Sequence, residues 1–217
     1  MNPGLVVFFC LISSVLLTGV TSIQCYKCFS TGGQCRNEDM TLVECEPDET
    51  SCVSLIVRTT FSIPSVVFST KTCAKPEEAN NGYFSLTSVQ KKHFELLVHS
   101  CQTDGCNIMP VSLPSRDVLK PNGLTCPGSF TSQGTSSLPP QPLVCLGNES
   151  RCGRLEFTMR ILRAINEEIF VEACVTDTVC AYPMGETQMG NGIAKFNVNV
   201  KNCSFALQSM DNMLLNM

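Results

Sequence analysis

The feature of this sequence that most constrains its fold is the cysteine content. Fifteen of the 217 residues are cysteine, a density that reducing compartments do not normally allow. Cys10 lies in an apolar N-terminal stretch, and the remaining 14 are an even number, as a fully oxidised protein requires. The sequence therefore predicts an extracellular protein held together by disulfide bonds.

Residues 1–22 carry no charged side chain and have the pattern of a secretory signal peptide. An apolar run ends at Val20-Thr21-Ser22, whose small residues suit cleavage before Ile23. A transmembrane helix is the alternative, but it needs about 20 apolar residues and this run is shorter. The C-terminal residues lack the hydrophobic tail of about 10–20 residues that a lipid-anchor signal requires. We therefore expect a soluble, secreted protein without a membrane anchor.

The composition argues against nucleic-acid binding and against catalysis. Charged residues make up 16% of the chain, the net charge is −4, and no basic cluster is present. The two histidines, His93 and His99, can share one strand face, but no further ligand or nucleophile motif accompanies them. The Cys25-x-x-Cys28 spacing would also suit half a zinc site or a redox pair, but the even cysteine count favours structural disulfides. We predict no enzyme activity, no metal and no cofactor.

The cysteines form two groups with a gap between them. Eight lie from Cys25 to Cys106, and six lie from Cys126 to Cys203. The gap is rich in proline and polar residues, as linkers are. We predict a signal peptide at 1–22, a first domain at 23–108, a linker at 109–123 and a second domain at 124–217. Spacing alone leaves the pairing open, because eight cysteines can pair in many ways.

Between the cysteines the sequence has the period of β-strands. Apolar and polar residues alternate from Leu155 to Ile161, which predicts a half-buried strand. We predict hairpins at 52–73, with the tip at 62–65, and at 83–101, with the turn near 90–92, and an alternating final strand at 193–203. Since no stretch carries a sustained helical period, the predicted fold class is all-β.

Two motifs resemble the signatures of a known family. IQCYKC at 23–28 and CQTDGCN at 101–107 resemble the opening and closing motifs of the lymphocyte-antigen-6/urokinase-receptor (LU) family, whose members adopt the three-finger fold of snake neurotoxins. The resemblance implies two tandem disulfide-stapled three-finger domains, with Asn107 as a core asparagine that hydrogen-bonds the first strand. The bridges it implies are Cys25–Cys52, Cys28–Cys35, Cys45–Cys73, Cys101–Cys106, Cys126–Cys152, Cys145–Cys174 and Cys180–Cys203.

The second half departs from the family pattern by losing whole bridges. Ser129 stands where the second cysteine of the opening motif would lie, and its expected partner is missing from a Ser/Pro/Gly-rich stretch at 132–142. Because that stretch has no strand pattern and no staple, we expect the first finger of this domain to be loose. A truncated second domain that opens with NGLTCP at 122–127 resembles the gamma-type phospholipase A2 inhibitors.

The apolar tip of the second finger is the candidate contact surface. Phe61, Ile63, Val66, Val67 and Phe68 either pack across the sheet or form an exposed patch that anchors a partner. Three-finger domains commonly bind through their fingertips.

Two glycosylation sequons occur, at Asn148 and Asn202. Asn148 lies in a polar turn that suits a glycan. The Asn202 sequon suits one less well, because its middle residue, Cys203, is expected to form a disulfide beside the sheet.

The resemblance implies a secreted, non-enzymatic protein that binds a secreted phospholipase A2 and inhibits it by steric occlusion. The alternative is a soluble ligand or modulator of a cell-surface receptor or extracellular matrix protein. A pI near 5.2 suits a basic partner but is compatible with many others. Related inhibitors are oligomeric, so homo-oligomerisation is left open.

Overall fold

The structure is a computed structural model that describes residues 22–208, apart from residues 63, 134–136, 162–164 and 190–191. All of the predicted signal peptide except Ser22 lies outside the described residues. Within them, antiparallel strands predominate and one short α-helix is present, which confirms the all-β prediction.

The strands are short and closely spaced along the chain. They are β1 (Gln24–Thr31), β2 (Thr41–Glu44), β3 (Ser51–Thr59), β4 (Val66–Ala74), β5 (Gly82–Thr87), β6 (His93–Cys101), β7 (Pro121–Ser132), β8 (Leu138–Leu146), β9 (Arg151–Ile161), β10 (Ile165–Val175), β11 (Gly185–Met189), β12 (Ala194–Phe205) and β13 (Leu207–Gln208). The helix is α1 (Asp177–Ala181), and 3-10 turns lie at Asn37–Asp39, Pro76–Glu78, Val89–Lys91, Cys106–Ile108 and Arg116–Val118.

The strand order is the same in both halves of the chain. Three hairpins in the first half give the order β2-β1-β4-β3-β6-β5, and the second half repeats it as β8-β7-β10-β9-β12-β11. The halves join edge to edge, because β10 pairs with β5 at Cys174↔Thr87 and Val175↔Leu86. Two three-finger units therefore share one continuous sheet.

The predicted alternation sets which residues face the core. Along β9, Leu155, Phe157, Met159 and Ile161 are buried, while Glu156 and Arg160 are exposed, as a half-buried strand requires.

A single large core lies under both halves of the sheet. The rings of Phe94 on β6 and Phe196 on β12 lie 5.5 Å apart, although three strands separate β6 from β12 in the sheet. The sheet must therefore curl, which brings its inner faces together around this core.

The chain between the two halves packs along the outer face of the first half of the sheet. The buried Lys71 ammonium donates hydrogen bonds to the carbonyls of Asn107, Ile108 and Met109 at 2.5, 2.7 and 2.7 Å. The Arg58 guanidinium donates to the carbonyl of Pro114 at 3.0 Å. This cover explains why β3 is buried on both faces. The predicted domain division, with a linker at 109–123, stays a prediction. Residues in this range contact the first half of the sheet directly.

The expectation that 132–142 lacks strand structure is wrong at Ser132, the last residue of β7, and again from Leu138 onward. Strand β8 begins there and pairs with β7 at Gly128↔Gln141 and Pro127↔Pro142. Its prolines are tolerated because β8 is an edge strand, where a missing N–H removes no bond to a further strand. Residues 134–136 lie outside the described residues.

Candidate binding surfaces and the domain interface

Disulfides hold the bases of the fingers together. The structure contains each pair that the family resemblance implies: Cys25–Cys52, Cys28–Cys35, Cys45–Cys73, Cys101–Cys106, Cys126–Cys152, Cys145–Cys174 and Cys180–Cys203. In the described part of the chain, the only Cys, His, Asp or Glu groups close enough together to hold a metal are half-cystines within these bridges.

Asn107 closes the first half, as the family resemblance implies. Its buried amide accepts a hydrogen bond from the Tyr26 N–H at 2.9 Å and donates one to the Tyr26 carbonyl at 2.9 Å. The same amide lies 3.4 Å from the Val53 carbonyl on β3. One side chain therefore ties the last turn of this half to its first and third strands.

The structure does not expose the apolar tip of the second finger. Phe61 and Phe68 are each 0% exposed, and Val66 is half-buried against the core. The Phe61 ring lies 5.0 Å from that of Phe130 and 6.4 Å from that of Phe157, both in the second half. Sequence reasoning treated the tip as an isolated fingertip and did not anticipate the second half packing over it. Ile63 lies outside the described residues.

Other apolar side chains are exposed instead. Leu42 on the first finger is 49% exposed, and Leu207 on β13 is 70% exposed. Val144, Thr125 and Leu207 occupy one row across β8, β7 and β13, so Val144 and Leu207 flank the same threonine. These apolar positions are accessible to a protein partner, whereas Phe61 and Phe68 of the second finger are not.

Two buried carboxylates lie where the halves and the intervening chain meet. Glu149, which follows the β8 turn, accepts hydrogen bonds from the Ser85 and Thr87 hydroxyls of β5 at 2.7 and 2.6 Å. It also accepts one from the Leu146 N–H at 3.2 Å. Burial raises the pKa of Glu149 above its usual range, and these donors act in the opposite direction. Sequence reasoning passed over Glu149 because it is the middle residue of a sequon.

The second buried carboxylate belongs to Glu95 on β6. It lies 3.3 Å from the Arg58 guanidinium and 3.7 Å from that of Arg116, and it accepts a hydrogen bond from the Tyr83 hydroxyl at 2.7 Å. Arg116 also donates to the Thr87 hydroxyl at 2.9 Å, so it connects the intervening chain to β5 and β6. Buried charges of this kind are expected only where they are paired.

An apolar cleft opens where the two halves diverge. It encloses about 580 Å³, counting the part open to solvent. Its walls are Phe84, Leu86, Phe94 and Leu96 from the first half, and Leu155, Phe157, Val179, Tyr182, Phe196, Val198 and Lys201 from the second. Among the described residues that line it, Lys201 is the one with a charged side chain.

A β-bulge in β12 is what turns Lys201 toward the cleft. Before the bulge, Val198 lies opposite the buried Phe157, whereas beyond it Val200 lies opposite Glu156 and Lys201 lies opposite the buried Leu155. One extra residue reverses which alternate positions face inward. Val200 is accordingly 42% exposed. The strict alternation predicted for 193–203 could not show this reversal.

His93 and His99 lie on the outer face of β6. Glu95 lies on the same face of the strand, and Phe94 lies on the opposite face. His93 is half-buried and its Nδ1 lies 2.9 Å from the Lys91 carbonyl, while His99 is exposed. Burial lowers the pKa of His93. Their positions form no cluster with other candidate ligands among the described residues.

The two sequons are both accessible in the structure. Asn148 is exposed in the turn after β8, and Asn202 is exposed on β12. Glycosylation at either residue stays a prediction.

A known protein family matches part of the chain. Residues 21–109 match the u-PAR/Ly-6 domain family, which confirms the resemblance that the motifs at 23–28 and 101–107 indicate. Among the described residues, no helix is long and apolar enough to cross a membrane.

Curated relatives extend the similarity across both halves. The chain is 25% identical over 198 residues to a phospholipase A2 inhibitor of the gamma type from Gloydius brevicaudus siniticus, which covers 89% of this chain and 92% of that protein. It is 25% identical over 210 residues to phospholipase A2 inhibitor NAI of Notechis ater, covering 92% and 95%. It is also 25% identical over 175 residues to Protein RoBo-1 of Rattus norvegicus, covering 79% and 68%. The resemblance to the two-domain gamma-type subgroup is thereby confirmed.

Proposed function

We propose that this chain is a secreted protein that binds a secreted phospholipase A2 and inhibits it by steric occlusion. The observation that carries the proposal is the extent of the similarity: relatives named as phospholipase A2 inhibitors align with 89% and 92% of the chain. An inhibitor that occludes an active site needs a surface and no catalytic group of its own.

The fold supports a binding role through the shared core. Because Phe61, Phe130 and Phe157 pack together, the two halves present their outer surfaces as one unit. An interface between two proteins commonly buries about 800 Å² on each partner, more than one fingertip offers. We therefore propose that the contact surface includes exposed apolar positions such as Leu42 or the Val144–Leu207 row.

The test is inhibition of a panel of secreted phospholipases by the purified, disulfide-bonded protein. Activity is measured on a monomeric short-chain phospholipid and on vesicles. Occlusion of the active site lowers the rate on both substrates, with saturation at a fixed molar ratio. Inhibition on vesicles alone would mean that the protein competes for the lipid surface, and it would contradict occlusion.

The contact surface is mapped with Leu42→Arg and Leu207→Arg, measured against the phospholipase that the protein inhibits best. A charge placed within an apolar contact is expected to weaken binding about tenfold or more, because it must be desolvated. Lys195→Gln on the outer face of β12 is a comparison variant without an apolar change. If no phospholipase binds and affinity capture still recovers an extracellular receptor or matrix protein, the role of a receptor or matrix modulator replaces this proposal. Light scattering of the same preparation tests whether the chain self-associates.

A further inference from the structure

An aromatic and an aliphatic side chain lie side by side near the base of the first finger. Tyr26 on β1 pairs directly with Leu42 on β2, so the two side chains stand together on one face. Leu42 is exposed and Tyr26 is half-buried. A Cβ atom at Gly105 would lie 3.3 Å from the Tyr26 ring and 3.9 Å from the Leu42 side chain. Gly105 therefore lies against both, and we call these three residues the first-finger patch.

A glycine is required at position 105 for this packing. Its φ of +62° lies in the left-handed region, and a side chain there would press on the Tyr26 ring. The Gly105 N–H donates to the Gln24 carbonyl at 2.7 Å, which holds the closing turn beside β1. The turn therefore supports the Tyr26 ring from the side opposite Leu42.

The backbone under the patch is held on several sides. The Asn107 amide bonds both the N–H and the carbonyl of Tyr26, at 2.9 Å each. The Cys101–Cys106 bridge joins the turn that contains Gly105 to β6. A partner that binds a surface fixed in this way loses little affinity to ordering of the backbone.

Two carboxylates that form no ion pair lie at one end of the patch. Glu44 is exposed on the same face of β2 as Leu42 and pairs in register with Gln24. Asp104 is exposed in the closing turn and accepts a hydrogen bond from the Gln24 N–H at 2.9 Å. In the described part of the chain, neither carboxylate is ion-paired. Lys27 is close in sequence, but alternation along β1 places it on the face opposite Tyr26.

This arrangement fits a partner that presents an apolar side chain with cationic groups beside it. Binding energy in interfaces is concentrated in a few residues, among which tyrosine is enriched. The Val144–Leu207 row has a threonine at its centre and contains no aromatic residue, so it fits the same role less well. Unpaired carboxylates attract a cationic surface and disfavour an anionic one.

We propose that the first-finger patch is the docking site for the secreted phospholipase A2, and that Glu44 and Asp104 select enzymes with a cationic surface. The inference rests on the proposed function and adds to it the place of the contact and the charge of the enzyme. Electrostatic attraction acts mainly on the association rate, whereas the apolar contact acts mainly on the dissociation rate. The two parts of the proposal can therefore be measured separately.

The experiment measures association and dissociation rates of the purified, disulfide-bonded protein with cationic and anionic secreted phospholipases, at low and at high salt. The cationic enzymes are expected to bind more tightly. Their association rate should fall about tenfold or more from low to high salt, because salt screens exposed charges, and their dissociation rate should change little.

Leu42→Ser tests the apolar contact. We expect dissociation from a cationic phospholipase to become about tenfold faster, since the variant removes an anchor without adding a charge. Leu207→Ser is the matched control, because this leucine is more exposed than Leu42 and lies outside the patch. It should leave both rates unchanged. Near-ultraviolet circular dichroism checks that each variant is folded.

The double variant Glu44→Gln with Asp104→Asn tests the charge. Its amide oxygens can still accept the hydrogen bonds that the carboxylates accept from Ser22 and Gln24, so the change removes charge alone. Association should slow several-fold at low salt and depend less on salt. Changing two other exposed carboxylates, in Glu156→Gln with Glu168→Gln, is the control with the same change in net charge, and it should have a smaller effect.

The outcomes separate this inference from the function on which it rests. If the unaltered protein binds no phospholipase, the proposed function fails and the docking site fails with it. If the unaltered protein binds but Leu42→Ser dissociates no faster, or Leu207→Ser dissociates equally fast, the patch is not the docking site and inhibition still stands. Equal association rates for the two carboxylate double variants would overturn the selection by charge.

Discussion

Two disulfides within the first half have counterparts within the second half, and the other disulfides have none. Cys25–Cys52 and Cys45–Cys73 in the first half correspond in order and spacing to Cys126–Cys152 and Cys145–Cys174 in the second. Only the first half has Cys28–Cys35 and Cys101–Cys106, and only the second has Cys180–Cys203. At two of the positions where a half lacks a bridge, the structure shows a serine hydrogen bond.

Ser129 is the first of these positions. It corresponds to Cys28, since each follows the first cysteine of its half by three residues. Its buried hydroxyl donates to the Glu172 carboxylate at 3.0 Å, and its carbonyl accepts from the Ser88 hydroxyl of the first half at 2.9 Å. The position thus makes hydrogen bonds both within its own half and across the interface.

Ser100 is the second position. It lies opposite Val53 on β3, as Cys203 lies opposite Gly153 on β9, so the two residues are equivalent in register. The Ser100 hydroxyl donates to the Ala79 carbonyl at 2.9 Å, in the segment that leads from the second finger to the third. A hydrogen bond in the first half therefore connects segments that a disulfide connects in the second.

The comparison teaches that neither half should be treated as an independent stapled domain. A hydrogen bond contributes about 0.5–1.5 kcal/mol, less than the few kcal/mol expected of a disulfide. Burial of both halves in a single core offsets part of that difference. We therefore expect the halves to unfold together.

The strongest test of joint unfolding is Phe61→Ala. Removing this ring leaves a cavity between Phe130 and Phe157, and we expect a loss of about 3–5 kcal/mol in the free energy of unfolding. Hydrogen exchange followed residue by residue should show reduced protection in both halves. Phe29→Ala, where the ring is 41% exposed, is the control and should cost much less. Loss of protection in the first half alone would mean that the halves are energetically separate.

The next largest effect is expected from removing a disulfide that has a counterpart in the other half. Replacing Cys126 and Cys152 by alanine opens a loop with a separation of 26 residues, which should cost about 3.5 kcal/mol by chain entropy. Replacing Cys28 and Cys35, with a separation of 7, should cost about 2.4 kcal/mol. Denaturant unfolding measures both. A separate early transition in the first variant would contradict a shared core.

Sequence patterns predicted much of each half but not how the halves meet. Alternation from Leu155 to Ile161 located a strand and its buried face because period-two burial is a local property. The burial of Phe61 depends instead on a ring some 70 residues further along the chain, at Phe130. No local pattern in the fingertip separates an exposed aromatic from one covered by a distant segment.

The candidate cleft could not be predicted for a related reason. Reading β12 as strictly alternating places Val200 inward and Lys201 outward, whereas the bulge reverses both. Glu149 is likewise buried by hydroxyls of Ser85 and Thr87 from the other half. Both features depend on strand register and on how the two halves pack against each other, and residue spacing shows neither.

A smaller effect is expected from removing the serines that stand in place of bridges. Ser100→Ala and Ser129→Ala should each lower the free energy of unfolding by about 0.5–1.5 kcal/mol, measured by denaturant unfolding with all disulfides intact. Ser129→Ala should be the more costly, because it leaves the Glu172 carboxylate without this donor. A larger loss of unfolding free energy in Ser100→Ala than in Ser129→Ala would contradict this order. It would mean that the serine hydrogen bond contributes more to stability in the first half.

The smallest effect concerns the pH dependence of Glu149. Because burial raises its pKa in the folded protein, the folded state holds this proton more tightly than the unfolded state does. Its contribution to stability therefore falls as pH rises from the unfolded carboxyl pKa through the folded one. His93 acts in the opposite direction, since its lowered pKa costs stability when pH falls through the ordinary histidine range.

Denaturant unfolding of wild type and Glu149→Gln across acid to neutral pH isolates the contribution of the Glu149 carboxyl, because His93 is common to both proteins. We expect the free energy of unfolding of the variant, relative to that of wild type, to rise with pH, and a difference that does not change with pH would contradict the raised pKa of Glu149.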